Sequence, residues 1–391
     1  MNFFYLLMFS LGALGLSAQC GNRYNTAIFP SITTATYKYG ENTTYTGASQ
    51  KLSLDVYTPI GDTVKKRPCV IFCFGGAFIQ GARTSPELVF FSNILAQRGF
   101  VCASIDYRLD NTANMTANGE NGAVVRAVQD AKAAIRYLKS KSNELGIDTN
   151  LIFIGGTSAG GVTSLTLAYS QYNEFSAGIQ TVISNLGGWE GATNALPHSS
   201  HVKGVFNFSG AILDTNHIGS NDLPVYLNHA NQDMVVPFRS GYPLNGQSTT
   251  LMYGSMSIAQ RMQSKGNYYI LDSFNSAEHP AFASSDFLMA LANLNKTSEN
   301  LRKFLYKVMN CDKASSSIST MSVANWVIEN PVTNFIKLAE GLQSSEWEIS
   351  NLMGQKIKLK ETSSDGIDVS HLPRGIYIIK YQNRSQKIVL E

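Results

Sequence analysis

Ser158 is the residue in this chain best placed to act as a nucleophile. It stands in Gly156-Thr157-Ser158-Ala159-Gly160, directly after the apolar run from Leu151 to Ile154. That order reads as a buried strand, a tight turn and then a helix. A strained turn of this kind lifts a serine hydroxyl above the carboxyl end of a sheet, as in a nucleophile elbow. Small residues flank such a serine because the strand and helix backbones approach closely there. The plain alternative is a Gly/Ser-rich turn without chemistry. The position between a strand and a helix favours the elbow.

A serine at its free pKa is a weak nucleophile, so Ser158 requires a base within hydrogen-bond reach and an acid to orient that base. In elbow architectures the chain order is serine, acid, histidine. All six histidines, His198, His201, His217, His229, His279 and His371, follow Ser158, so order alone does not decide. His279 lies in a loop a few residues past the apolar strand Tyr268 to Phe274, and it is the chosen base. His198 and His201 precede any good acid and read as solvated. His229 ends a strand and reads as structural, bonded to a neighbouring loop, while His371 lies in the C-terminal module. Asp233, just past the strand that ends at His229 and followed by another apolar run, is the chosen acid. Asp272 falls inside a strand and Asp222 before one, so both are less well placed.

A tetrahedral intermediate also needs preorganised N–H donors for its oxyanion. Ala159, at a helix N-terminus directly after the serine, offers one, and the Gly75-Gly76-Ala77 turn offers Gly76 and Ala77. Phe78 and Trp189 are aromatic candidates for a substrate cleft.

These residues must be held by alternating strands and helices. Cys69 to Phe74 and Phe100 to Ile105 are apolar runs of the kind buried on both faces of a sheet. Helical spacing covers Glu87 to Arg98, Val124 to Ser142, Ser255 to Lys265 and most of Phe282 to Met309. Residues 24 to 60 alternate like antiparallel edge strands. The pattern predicts a mostly parallel sheet covered by helices on both sides. The irregular segments Gly187 to His201 and Phe238 to Thr250 are expected near the active face.

With 391 residues, 44% hydrophobic and 15% charged, the chain has room for one large core and a smaller module. A formal net charge of +3 with no basic stretch argues against nucleic acid as a partner. The apolar N-terminus ending in small residues reads as a signal peptide, residues 1–19. Of the five cysteines, Cys69, Cys73 and Cys102 fall in apolar strands and read as core. Cys20 and Cys311 remain, bracketing the main domain, and are expected to form a disulfide. Residues 20–312 form the predicted catalytic domain. A Ser-rich linker (313–325) and a small β-sandwich (326–391) follow.

Taken together, FGGAF (Phe74 to Phe78), SIDYRL (Ser104 to Leu109), GTSAG (Gly156 to Gly160) and the Asp233 and His279 loops resemble the α/β-hydrolase fold, in its carboxylesterase and lipase branch. The resemblance spans about residues 40 to 310. It implies an eight-stranded, mostly parallel sheet and cleavage of carboxylic esters through an acyl-enzyme, without metal or organic cofactor. Phe74 departs from the histidine usual in hormone-sensitive-lipase-like members. The tail, with Ile349-Ser-Asn-Leu-Met-Gly-Gln-Lys and the run Ile367 to Tyr377, resembles the C-terminal sorting domain of the Bacteroidetes type IX secretion system. The expected protein is therefore a secreted or cell-surface serine esterase, a monomer, acting on small or polymeric esters and engaging the secretion machinery through its tail. A serine peptidase of the same fold and a non-catalytic surface-binding protein are the alternatives.

Overall fold

The structure is a computed structural model that describes residues 20–110 and 117–311, and in the C-terminal part 331–337, 347–351, 355–357, 362–363, 366–381 and 384–391. The expected signal peptide and linker lie outside the described residues. Among the described residues no helix is long and apolar enough to cross a membrane. The chain divides into two units, residues 1–315 and 316–391.

In the first unit the apolar runs become the middle of an eight-stranded sheet. Its strands are β1 (Ile32–Thr43), β2 (Ser49–Pro59), β3 (Arg67–Cys73), β4 (Val101–Ile105), β5 (Ile147–Thr157), β6 (Gly204–Phe208), β7 (Val225–Ala230) and β8 (Tyr269–Phe274). They lie in the order β1-β2-β4-β3-β5-β6-β7-β8. The β1–β2 and β2–β4 pairs are antiparallel and the rest are parallel. Every residue of β3, β4 and β6 is buried, as strands covered on both faces require. Crossover helices α1 (Pro86–Ala96), α2 (Ala117–Ser140), α3 (Ala159–Tyr169) and α4 (Ser255–Ser264), with the helix α5 (Phe287–Val308) after the last strand, supply that cover. Phe72 stacks on Phe91 of α1, and Phe206 meets Phe72 edge-on.

The helix α2 is the main departure from the periodicity. It begins at Ala117 rather than Val124, and its polar side is buried as well as its apolar stripe: Gln129, Asp130, Lys132 and Arg136 are all buried. The segment after Gly187 runs over that side. Gln129 donates to the carbonyls of Leu186 and Gly188. Lys132 and Arg136 both pair with Glu190. Asp130 takes Arg108 in a buried ion pair and accepts from Thr193. Buried charges persist only when paired in this way.

Cys20 and Cys311 are joined by a disulfide that closes a loop of 291 residues. Replacing both by serine is expected to cost about 3–5 kcal/mol in a denaturant titration. The thiols of Cys69, Cys73 and Cys102 are fully buried. Burial pushes Cys69 and Cys73 up to about 12, and it raises Cys102 as well. An alkylating agent without reductant should therefore label none of these three in the native chain and all three in denaturant, as read by intact mass.

The second unit is built from two small antiparallel sheets. One orders Phe335–Ile336, Gly366–Asp368 and Thr362–Ser363, and the other Lys356–Ile357, Trp347–Asn351, Gly375–Tyr381 and Arg384–Leu390. Between them Val332, Ile336, Trp347, Ile349, Ile379 and Ile388 form a small buried core.

Candidate active site

The close approach at the turn after β5 explains its glycines. A Cβ on Gly156 or on Gly160 would lie 2.1 Å from the carbonyl oxygen of Cys73, so no side chain fits at either position. Between them Ser158 adopts φ 53°, ψ −115°, a left-handed conformation that costs a non-glycine residue energy and is kept where surroundings over-determine it. The Ser158 amide donates to the Phe208 carbonyl at 2.7 Å, which anchors the turn to β6.

Three loops bring the predicted partners to this serine. His279 Nε2 lies 2.8 Å from Ser158 Oγ, and His279 Nδ1 lies 2.7 Å from Asp233 Oδ2. A carboxylate can only accept, so Nδ1 carries the ring proton and Nε2 is left to accept from the serine hydroxyl. Asp233 follows β7, where its other oxygen accepts from the amides of Val235 and Val236 at 2.8 and 3.0 Å. Burial pushes this carboxyl upward, but hydrogen bonds from His229 and His279, the charge interaction with His279 and the Val236 amide outweigh it and hold it at about 2. The rivals go elsewhere: Asp272 accepts from Tyr226 and Asn300, and Asp222 bonds the amides of Gly219 and Leu223. His198, His201 and His371 are exposed, and His217 bonds Ser170.

The turn after β3 faces the serine from the other side. Gly76, Ala77 and Phe78 all have positive φ, at 118°, 53° and 64°. The loop is closed on itself by Ile79 and Gln80 amides donating to the Gly76 carbonyl, and it is pinned by the Asp110 amide on the Phe78 carbonyl. The amides of Gly76, Ala77 and Ala159 donate to no acceptor among the described residues. Ala159 opens α3, where first-turn N–H groups have no intrahelical partner. Phe74 is buried, stacked on Tyr107 at 4.0 Å between ring centroids, with the Tyr107 hydroxyl donating to its carbonyl. It supports the loop from beneath.

A cavity of about 630 Å³ opens at Ser158 and His279. Phe78, Val124, Leu213, Val235, Leu244 and Met252 give it an apolar wall. Three carboxyl groups, Glu87, Asp110 and Glu120, also reach its lining. Burial lifts the first two above the usual carboxylate range, despite Arg126 beside Asp110. Glu120 instead ties α2 to the Phe238–Thr250 segment, accepting from Ser248 Oγ at 3.1 Å and Thr250 Oγ1 at 2.5 Å. That segment thus supplies one wall of the cavity, in keeping with its expected place.

Trp189 does not line the cavity, contrary to expectation. Its ring packs on Phe175 with centroids 5.2 Å apart and carries the Lys132 ammonium 4.5 Å from its centroid. Its loop is committed to covering the polar side of α2. Ser209 escaped sequence reading, and His229, bonded to a neighbouring loop as expected through the Val236 carbonyl, also reaches the acid. Ser209 accepts from the Ala281 amide at 3.1 Å and so holds the His279 loop. His229 touches the acid itself, its Nε2 3.3 Å from Asp233 Oδ2. The spacing His229 to Asp233 at a strand end was the available signal, but periodicity does not say which way such a histidine turns.

Comparison with known proteins agrees with this architecture. The BD-FAE family model matches residues 54–212, and the secretion system C-terminal sorting domain matches residues 329–391. The chain is 34% identical over 108 residues to Esterase LipC of Mycobacterium tuberculosis, covering 28% of this chain and 24% of that protein. It is 31% identical over 120 residues to mouse Carboxylesterase 3B, covering 30% and 20%. Both matches thus span a quarter or less of the relative's length. A thermophilic esterase of the Planctomycetes species Thermogutta terrifontis superposes with a TM-score of 0.52 at 21% identity, covering 70% of this chain and 92% of that one. That likeness shows the α/β-hydrolase fold.

Proposed function

We propose that this chain, an α/β-hydrolase fold followed by a segment that matches the secretion system C-terminal sorting domain, is an exported serine esterase of the carboxylesterase and lipase branch. The observation that carries this reading is the unbroken hydrogen-bond line from Asp233 through His279 to Ser158 at the base of an apolar cavity. In the proposed reaction Ser158 Oγ attacks the ester carbonyl while its proton passes to His279 Nε2. The carbonyl oxygen becomes an oxyanion held by the amides of Gly76, Ala77 and Ala159. His279 then gives the proton to the departing alkoxide, leaving an acyl-serine, and Asp233 stabilises the transient imidazolium. Water activated by His279 attacks the acyl-serine, releasing the acid and restoring the hydroxyl.

The apolar wall around Phe78 and Leu213 supports an uncharged acyl or alkoxy group of modest length. The sorting domain supports work at the cell surface or beyond, through the type IX machinery, where polymeric esters are among the substrates met. The test is hydrolysis of p-nitrophenyl acetate, butyrate and palmitate, beside a peptide p-nitroanilide, by the purified full chain. Turnover of the shorter esters with the anilide untouched is expected. Cleavage of the peptide alone would make the protein a peptidase, and inactivity of the folded chain on every substrate would make it a binding protein.

A further inference from the structure

The acid of the proposed triad is held by two histidines, and the second is itself fixed by a chain of directed hydrogen bonds. Asn207, on β6, accepts the Gly210 amide at its Oδ1 at 2.8 Å. Only a carbonyl oxygen can accept there, so the side-chain orientation is set. Its Nδ2 then faces Ser255 Oγ at 3.1 Å and donates to it. Among the described residues no other acceptor bonds Ser255 Oγ, so its hydroxyl proton turns to His229 Nδ1 at 2.9 Å. His229 Nε2 faces two acceptors, the Val236 carbonyl at 3.1 Å and Asp233 Oδ2 at 3.3 Å. The proton of the ring must therefore sit on Nε2. Asn207, Ser255 and His229 are all fully buried, and the ionisable partner that meets the imidazole is Asp233, which also bonds His279. The Phe238 ring meets the His229 imidazole edge-on at 5.6 Å between centroids.

We propose that His229 is a positioning residue for the triad: locked by Asn207 and Ser255 as the neutral Nε2–H tautomer, it steadies the Asp233 carboxylate by an N–H bond without adding a positive charge. The distinction matters chemically. A cation at this position would neutralise Asp233 and repel the proton that His279 must take from Ser158. A residue without a donor would leave a buried carboxylate oxygen with one partner fewer, and so more basic and less well oriented. A neutral donor satisfies the oxygen and leaves its charge for His279. The inference rests on the serine esterase reading.

The test uses the full chain with His229→Leu, which removes the donor, and His229→Gln, which keeps an N–H near the same place. For p-nitrophenyl butyrate, His229→Leu should lower kcat about tenfold with KM nearly unchanged, the order of loss expected when a buried charged group gives up one hydrogen bond. The acid-side inflection of its kcat/KM profile should move to higher pH, because the less satisfied carboxylate draws a proton onto His279 more strongly. His229→Gln should recover most of both. Nitrogen NMR of the histidine-labelled wild-type chain, with the His229 signals assigned from the Gln variant, should show the neutral Nε2–H tautomer at the pH of activity. Wild-type kcat and inflection in a folded Leu variant would overturn the proposal, as would a Gln variant no better than Leu. An Nδ1–H or doubly protonated His229 would overturn it even if the Leu variant fails to fold. Ser158→Ala run alongside separates the two claims: hydrolysis that survives it removes the triad reading and this proposal together, whereas the other outcomes bear on His229 alone.

Discussion

Ser158→Ala should lower kcat for p-nitrophenyl butyrate by a factor on the order of 10⁶, leaving a residue of activity from binding and from the oxyanion donors. The expectation follows from the geometry. His279 Nε2 lies 2.8 Å from the Ser158 hydroxyl, and no other hydroxyl bonds that nitrogen among the described residues. Alanine suits the backbone at this point no worse than serine does, since both carry a Cβ at the same strained φ. The variant should therefore fold as the parent does, with an unchanged melting temperature and circular dichroism, so that its loss reads chemistry and not stability. Binding of a non-hydrolysed ester analogue should persist, because the apolar wall of the cavity is untouched. A fall of tenfold or less would move the nucleophile elsewhere.

Asp233→Asn should lower kcat by about 10⁴-fold while leaving the side chain's volume unchanged. The carboxylate accepts four hydrogen bonds or close donors, from the Val235 and Val236 amides and from His279 and His229. An asparagine satisfies the two amides with its carbonyl oxygen and then presents an NH₂ group to both histidines. His279 must answer by accepting at Nδ1, which places its proton on Nε2, against the Ser158 hydroxyl it should deprotonate. The same substitution has a signature in stability. The folded carboxyl of Asp233 is held at about 2, below the roughly 3.9 of an unfolded chain. Its contribution is thus fully present above about pH 4 and is lost as pH falls toward 2. Melting temperature measured across that window should drop in the parent by more than in the variant, which has no carboxyl to protonate.

The strands were legible because β3, β4 and β6 are continuous apolar runs, and burial on both faces leaves sequence little freedom there. The elbow was legible for a harder reason: with the Cys73 carbonyl so near, Gly156 and Gly160 admit no side chain. His279 and Asp233 could be singled out by chain order and by their places just after strands, and the fold brings both to Ser158. What stayed hidden depends on contacts between distant segments. The burial of Lys132 and Arg136 beneath the Trp189 loop rests on Glu190, more than fifty residues away in sequence, and periodicity along α2 cannot report it. Trp189 was misplaced for that reason. The Glu120 tie to Ser248 and Thr250 and the Ser209 bond to Ala281 are likewise tertiary. The helix start at Ala117 was missed because Asn118, Gly119, Asn121 and Gly122 are poor helix formers, and tertiary bonds from Glu120 take the place of propensity.

The most direct test of Ser158 as the nucleophile of an ester-cleaving triad is covalent capture with paraoxon, whose phosphorus is attacked by a serine that a neighbouring base activates. The full chain should gain the mass of one diethylphosphoryl group, mapped by peptide sequencing to Ser158, as ester hydrolysis falls to zero in step with labelling. The Ser158→Ala chain should gain none. A stoichiometric adduct on another residue, or full hydrolysis in a chain labelled at Ser158, would mean that Ser158 is not the nucleophile.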